Sequence, residues 1–112
     1  MRLSQLEATF VGKLTPTEGF SYLPNAEGAQ GLLFLCPLCF AANHGSCGTH
    51  SVLCWFSNPR NAPAVPPEVS PKPGRWQFTG DSIEDVTLSP SVHLSDPAGC
   101  GWHGWVKNGF AA

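Results

Sequence analysis

All nine thiol and imidazole side chains of this 112-residue chain fall in two windows: Cys36, Cys39, His44, Cys47, His50 and Cys54, then His93, Cys100 and His103. Thiolates and imidazoles are the ligands that hold zinc tetrahedrally, and a two-residue spacer lets one turn present both of its side chains to one ion. Cys36-Pro-Leu-Cys39 and Cys100-Gly-Trp-His103 both have that spacing. By spacing alone, Cys36, Cys39, Cys100 and His103 make a complete set of four. His50 and Cys47, and more remotely His44, compete for a place in it from the Gly/Asn/Ser-rich loop after Cys39. Ordinary buried thiols are the plainer alternative. A redox disulfide between Cys36 and Cys39 is a second one, but it wants a helix N-terminus to lower the attacking thiol's pKa, and Phe40 to Gly45 reads as too short for a helix. A zinc deaminase is excluded, because no His-x-Glu precedes the Pro-Cys-x-x-Cys such enzymes carry. Cys54 reads as a core residue, as free cysteines usually are.

A second chemistry is written in Ser89-Pro90-Ser91-Val92 and Gly101-Trp102-His103-Gly104. If Ser91 opens a strand that pairs with one carrying His103, hydroxyl and imidazole meet as nucleophile and general base. The bland reading is a turn serine and a structural histidine. Glycines on both sides of Trp102-His103 would give a substrate backbone close access. Along a strand side chains alternate, so Cys100 and Trp102 would face one way and His103 and Trp105 the other. That separation assigns zinc to Cys36, Cys39, Cys100 and a loop ligand, His50 being the choice, and leaves His103 for Ser91. A break at Gly101 would undo the argument.

These residues need elements to position them. Leu32 to Leu35 is a short apolar run that ends at Cys36-Pro37, the form of a buried strand feeding a metal knuckle. Val52 to Phe56 predicts a strand with Val52, Cys54 and Phe56 on one face. Arg75 to Thr79 and Val86 to Leu88 are further strands, joined through the Gly80-Asp81 turn signal. Leu3, Leu6, Phe10 and Leu14 stand near helical spacing, but Ala8 to Val11 favours strand. Asn108-Gly109 between apolar residues predicts a hairpin. Pro59 to Gly74 holds six of the eleven prolines and predicts an extended loop. The fold class is mainly β: one domain over residues 1–112, a small antiparallel sheet with a zinc knuckle and a long Pro-rich loop at 59–74.

So short a chain has a thin core, and a metal staple is a sensible supplement. Charged residues are only 12% against 42% hydrophobic, so a partner is expected to cover some of the surface; if the chain is a non-catalytic zinc module, exposed-looking Trp102 and Trp105 and the proline loop would form its protein-docking surface. The formal charge is −2 and the six basic residues are dispersed, which argues against nucleic acid. The longest apolar run, Leu32 to Phe40, is too short for a membrane span and is broken by Pro37. No secretory signal is visible, and the chain is expected in the cytoplasm of a bacterial cell. The sequence leaves the oligomeric state open.

The segments Gly31 to Phe40, Gly48 to Phe56, Leu88 to Val92 and Cys100 to Gly109 resemble a family of small phage and bacterial proteins, often labelled "ammonia monooxygenase" in phages. That label does not suit a chain without a membrane span. Relatives in bacterial ubiquitin-like conjugation operons are understood to be serine-type peptidases that process or remove the ubiquitin-like protein. The resemblance implies Ser91 as nucleophile, His103 as general base, and a structural zinc on Cys36, Cys39 and Cys100, with the fourth ligand open. Asp81, Asp85 and Asp96 are candidates to orient His103. The implied function is a zinc-stabilised Ser/His hydrolase of a protein or ubiquitin-like tail; the alternative is a non-catalytic zinc module of a phage that binds a protein.

Overall fold

A computed structural model describes residues 1–57, 65–66, 68–69, 75–94 and 100–112. The chain opens with a 3₁₀ turn at Leu3–Leu6, then strands β1 (Thr9–Thr15), β2 (Gly19–Leu23) and β3 (Ala29–Leu35). Helix α1 (Pro37–Asn43) precedes β4 (Ser51–Ser57), β5 (Trp76–Thr79) and β6 (Thr87–Ser89). Four two-residue strands follow: β7 (Val92–His93), β8 (His103–Gly104), β9 (Val106–Lys107) and β10 (Phe110–Ala111). The first six strands form one sheet in the order β2-β1-β3-β4-β5-β6, and β7–β8 and β9–β10 form two small ladders. All pairs are antiparallel except β4–β5, which is parallel. The Pro-rich stretch 59–74 falls within the β4–β5 connection and, apart from Val65, Pro66, Glu68 and Val69, lies outside the described residues.

Strand alternation puts Phe10, Leu32, Phe34, Val52, Cys54, Phe56, Phe78 and Leu88 on one buried face of the sheet. Leu3 and Leu6 cover one part of that face; Val92, Trp102, Val106 and Ala111 from the C-terminal ladders cover another. Phe78 stacks on Phe56 at 4.4 Å and meets Phe10 edge-on. The Trp102 indole meets Phe34 edge-on at 6.1 Å, a geometry worth about 0.5–1.5 kcal/mol beyond area burial. Trp102 is therefore a core anchor, 7% exposed, and not an exposed docking residue as expected for a binding module; Trp105 is the exposed one, at 49%.

Two elements differ from the sequence reading. The residues after Cys36 form a helix after all: Pro37 is its first residue, the position where proline's fixed φ suits a helix and its missing N–H is not needed. The Phe40 amide donates to the Cys36 carbonyl, and His44 ends the helix in the left-handed conformation. The edge strand β2 carries too little apolar pattern to have been read. The Asn108-Gly109 hairpin is present, with φ of 49° and 78° as a tight two-residue turn requires. Among the described residues no helix is long and apolar enough to cross a membrane.

Candidate metal centre and serine–histidine pair

The β3–β4 ladder sets the first site. Its register runs from Gly31 opposite Trp55 to Leu35 opposite Ser51, and the next rung brings Cys36 opposite His50. There the Cys36 amide donates to the His50 carbonyl at 3.0 Å. Cys39 lies on the first turn of α1, and Cys100 arrives from 64 residues downstream to place its Sγ 3.3 Å from that of Cys36. His50 Nε2 is 3.4 Å from Cys100 Sγ. The ligand atoms of Cys36, Cys39, His50 and Cys100 all lie within 4.8 Å of one another. Around a tetrahedral zinc two thiolate sulfurs stand about 3.8 Å apart, so this cluster is close to the size the ion needs. Its donor set, three thiols and one imidazole, suits zinc's preference for sulfur and nitrogen.

The protonation of the thiols follows from where they sit. Burial pushes Cys36 up to about 12, and Cys39 is also raised, chiefly by desolvation. Desolvation opposes ionisation of Cys100 too, but hydrogen bonds from His50, the Trp102 backbone, Cys36 and Cys39 together outweigh it and bring this thiol down to about 6. Cys100 is thus the thiolate about which the other three donors gather. A redox role for the Cys36–Cys39 pair is not favoured: burial outweighs the lowering of Cys36 by the Cys39 and Leu38 amides at the helix N-terminus, and both thiols end raised.

Cys47 is exposed and His44 caps the helix; neither joins the cluster. Cys54, opposite Leu32 on β4, is fully buried in the core.

The second site is local. Strand β7 pairs with β8 so that Val92 faces Gly104 and His93 faces His103. Ser91, immediately before β7, places its Oγ 3.0 Å from His103 Nε2, while its carbonyl accepts the Trp76 indole N–H at 3.3 Å. With the imidazole proton on Nδ1, the serine hydroxyl donates to Nε2, the arrangement nucleophilic catalysis uses. His103 and Cys100 do separate, although not through strand alternation. Gly101, at φ 77°, breaks the chain direction before β8 begins, and alternation applies only from the buried Trp102 to the exposed His103.

The two glycines beside Trp102-His103 are not equivalent. A side chain at Gly104 would collide with the Ala112 carbonyl and the Trp102 ring, so this position is filled from within the chain. Among the described residues nothing lies within 4 Å of where a side chain at Gly101 would start. Of the acidic candidates, Asp85 accepts the Asp81 and Ser82 amides and the Ser82 hydroxyl, which ties its carboxylate to the β5–β6 turn. Asp96 lies outside the described residues. The ring that touches His103 is that of His93, with centroids 4.7 Å apart and planes tilted by 31°. The sequence reading passed over His93; the cross-strand position opposite His103 was the signal that would have found it.

A family model described as a bacterial ubiquitination-like system serine protease, BubE, matches residues 10–112. The chain belongs to this family. The match takes in all four clustered ligands, Ser91 and His103, and accords with the motif resemblance to serine peptidases of ubiquitin-like operons. No curated protein and no solved structure matches the chain. Within the BubE family's frame the two sites are one continuous construction, because only Gly101 and Trp102 separate Cys100 from His103 and Trp102 is fixed in the core between them.

Proposed function

We propose that this chain is a metal-stapled serine hydrolase that cleaves the bond between the tail of a ubiquitin-like protein and its acceptor or trailing peptide. The observation that carries the reading is the 3.0 Å approach of Ser91 Oγ to His103 Nε2 in a member of a serine protease family. His103 takes the hydroxyl proton as Ser91 attacks the ester or amide carbonyl, forming the Oγ–C bond. It then returns the proton to the leaving oxygen or nitrogen as the bond from the carbonyl carbon to that atom breaks, which leaves the acyl group on Ser91. A water molecule, deprotonated by the same imidazole, releases the acyl group. Among the described residues Gly101 has no neighbour on its Cβ side, which supports approach of an extended tail there, whereas the side at Gly104 is filled by Ala112 and Trp102.

Cys36, Cys39, His50 and Cys100 would hold a zinc ion whose contribution is structural, cross-linking β3, α1 and the approach to β8. No open ligand position is needed for the chemistry assigned to Ser91. The substrate would be met in the cytoplasm of a bacterial cell.

The test is cleavage of ester-linked and amide-linked ubiquitin-like conjugates by wild type and by a folded, metal-loaded Ser91→Ala variant. Loss of cleavage in the variant is expected. Full retention would overturn the assignment and favour a binding module with exposed Trp105 at its surface.

A further inference from the structure

We infer that His93 is a positioning residue that holds the His103 imidazole in the orientation from which Nε2 accepts the Ser91 proton; the inference rests on the hydrolase reading. An exposed histidine at the end of a two-residue strand turns freely about its Cβ–Cγ bond unless something restrains it. The usual restraint is a carboxylate on Nδ1, but Asp85 is committed to its own turn. Among the described residues, the hydrogen-bond and ring contacts of His103 are with Ser91 and His93.

The backbone explains why the second contact forms. The Leu94 amide donates to the Trp102 carbonyl at 2.8 Å, which makes Leu94 and Trp102 a hydrogen-bonded pair. The neighbouring His93–His103 pair is then of the non-hydrogen-bonded kind, in which facing side chains come closest. The two rings overlap at 4.7 Å with a 31° tilt, so His93 blocks one face of His103 and leaves its edge to Ser91. Stacking thus acts on the alignment of the imidazole before proton transfer.

Fluorophosphonate labelling of Ser91 reads this directly, because the maximal labelling rate reports nucleophile activation and half-saturation reports probe binding. His93→Ala should lower the maximal rate roughly three- to tenfold, the range an aromatic contact supports, with half-saturation unchanged. His93→Phe, which keeps the stacked ring and lacks both nitrogens, should label within about twofold of wild type. His93→Leu fills the space without a ring, and serves if the alanine variant does not fold; it should be as slow as alanine is expected to be. Wild-type rates in His93→Ala or His93→Leu, or a His93→Phe no faster than these, would overturn the role of His93 and leave the hydrolase reading standing. Failure of wild-type protein to label at Ser91 would overturn the hydrolase reading and this inference with it.

Discussion

The metal-ligand cluster and the Ser91–His103 pair lie at opposite ends of one four-residue segment, yet they are built by opposite means. The cluster joins residues 64 positions apart, and three of its members hang on the end of a five-rung ladder in the main sheet and the helix capped by it. The Ser–His pair spans only 12 residues and rests on a ladder of two rungs. Two-stranded hairpins are marginal in water by themselves. The precision of the pair must therefore come from its attachments, which are Val92 and Trp102 in the core, the Trp76 indole on the Ser91 carbonyl, and Cys100 in the cluster. The difference teaches that in a chain this short a strong long-range site can supply the rigidity that a local site lacks.

The largest effects are expected from removing the proposed chemistry alone. Ser91→Ala and His103→Gln should each lower hydrolysis by a factor on the order of 10⁴ while metal content and melting temperature stay at wild-type values. Loss of bound metal in His103→Gln would mean that His103 belongs to the cluster and that the two sites are not distinct. Next in size is Cys100→Ser. Losing one candidate ligand should strip the metal, and because Cys100 is three residues from His103, Ser91 labelling should fall about 10- to 100-fold although neither Ser91 nor His103 is touched. Cys47→Ser, at an exposed thiol outside the cluster, is the matched control and should change neither quantity. A Cys100→Ser protein that loses its metal but labels normally would show that Trp102 alone sets the position of His103.

Much of this arrangement was legible in the sequence where a single physical cause dominates. Leu32 to Leu35, Val52 to Phe56 and the Asn108-Gly109 hairpin announce themselves through apolar runs and turn chemistry, and they are strands and a turn in the structure. The helix was not legible, because seven residues carry too few turns to show a 3.6-residue period and Pro37 reads equally as a turn residue. Trp102 was misread as exposed because burial is decided by Phe34, a residue 68 positions away. The gathering of Cys36 with His50 was half-legible. Once the β3–β4 register is known the pairing is forced, but nothing in the Gly/Asn/Ser-rich loop fixes that register beforehand.

Proton release sharpens the comparison from the side of the cluster. At neutral pH Cys100, lowered to about 6, is already a thiolate, whereas Cys36, raised to about 12, and Cys39, also raised, keep their protons. Zinc binds thiolates, so its uptake near pH 7 should expel two thiol protons, and apparent affinity should rise about a hundredfold per pH unit from the thiols alone. Direct titration of released protons against added zinc in weak buffer measures this. Release of three thiol protons would show Cys100 to be protonated before the metal arrives.

The smallest effect concerns the fifth cysteine, which shares the sheet with the ligands but not their role. Cys54→Ala should leave zinc stoichiometry and Ser91 labelling unchanged and cost about 1 kcal/mol at pH 7, the scale for deleting one buried heavy atom from a closed core. Its pH dependence tells a core thiol from a ligand. Burial raises the Cys54 thiol from 9.0 in the unfolded chain to about 12 in the native one. The unfolded state therefore gives up this proton first as pH rises, so the thiol's contribution is complete below pH 9 and is lost between pH 9 and about 12. The stability gap between wild type and Cys54→Ala, both zinc-loaded, should narrow from pH 8 to pH 10. A gap that stays constant over that interval would mean the thiol ionises alike in both states, which a side chain sealed behind Leu32 cannot do.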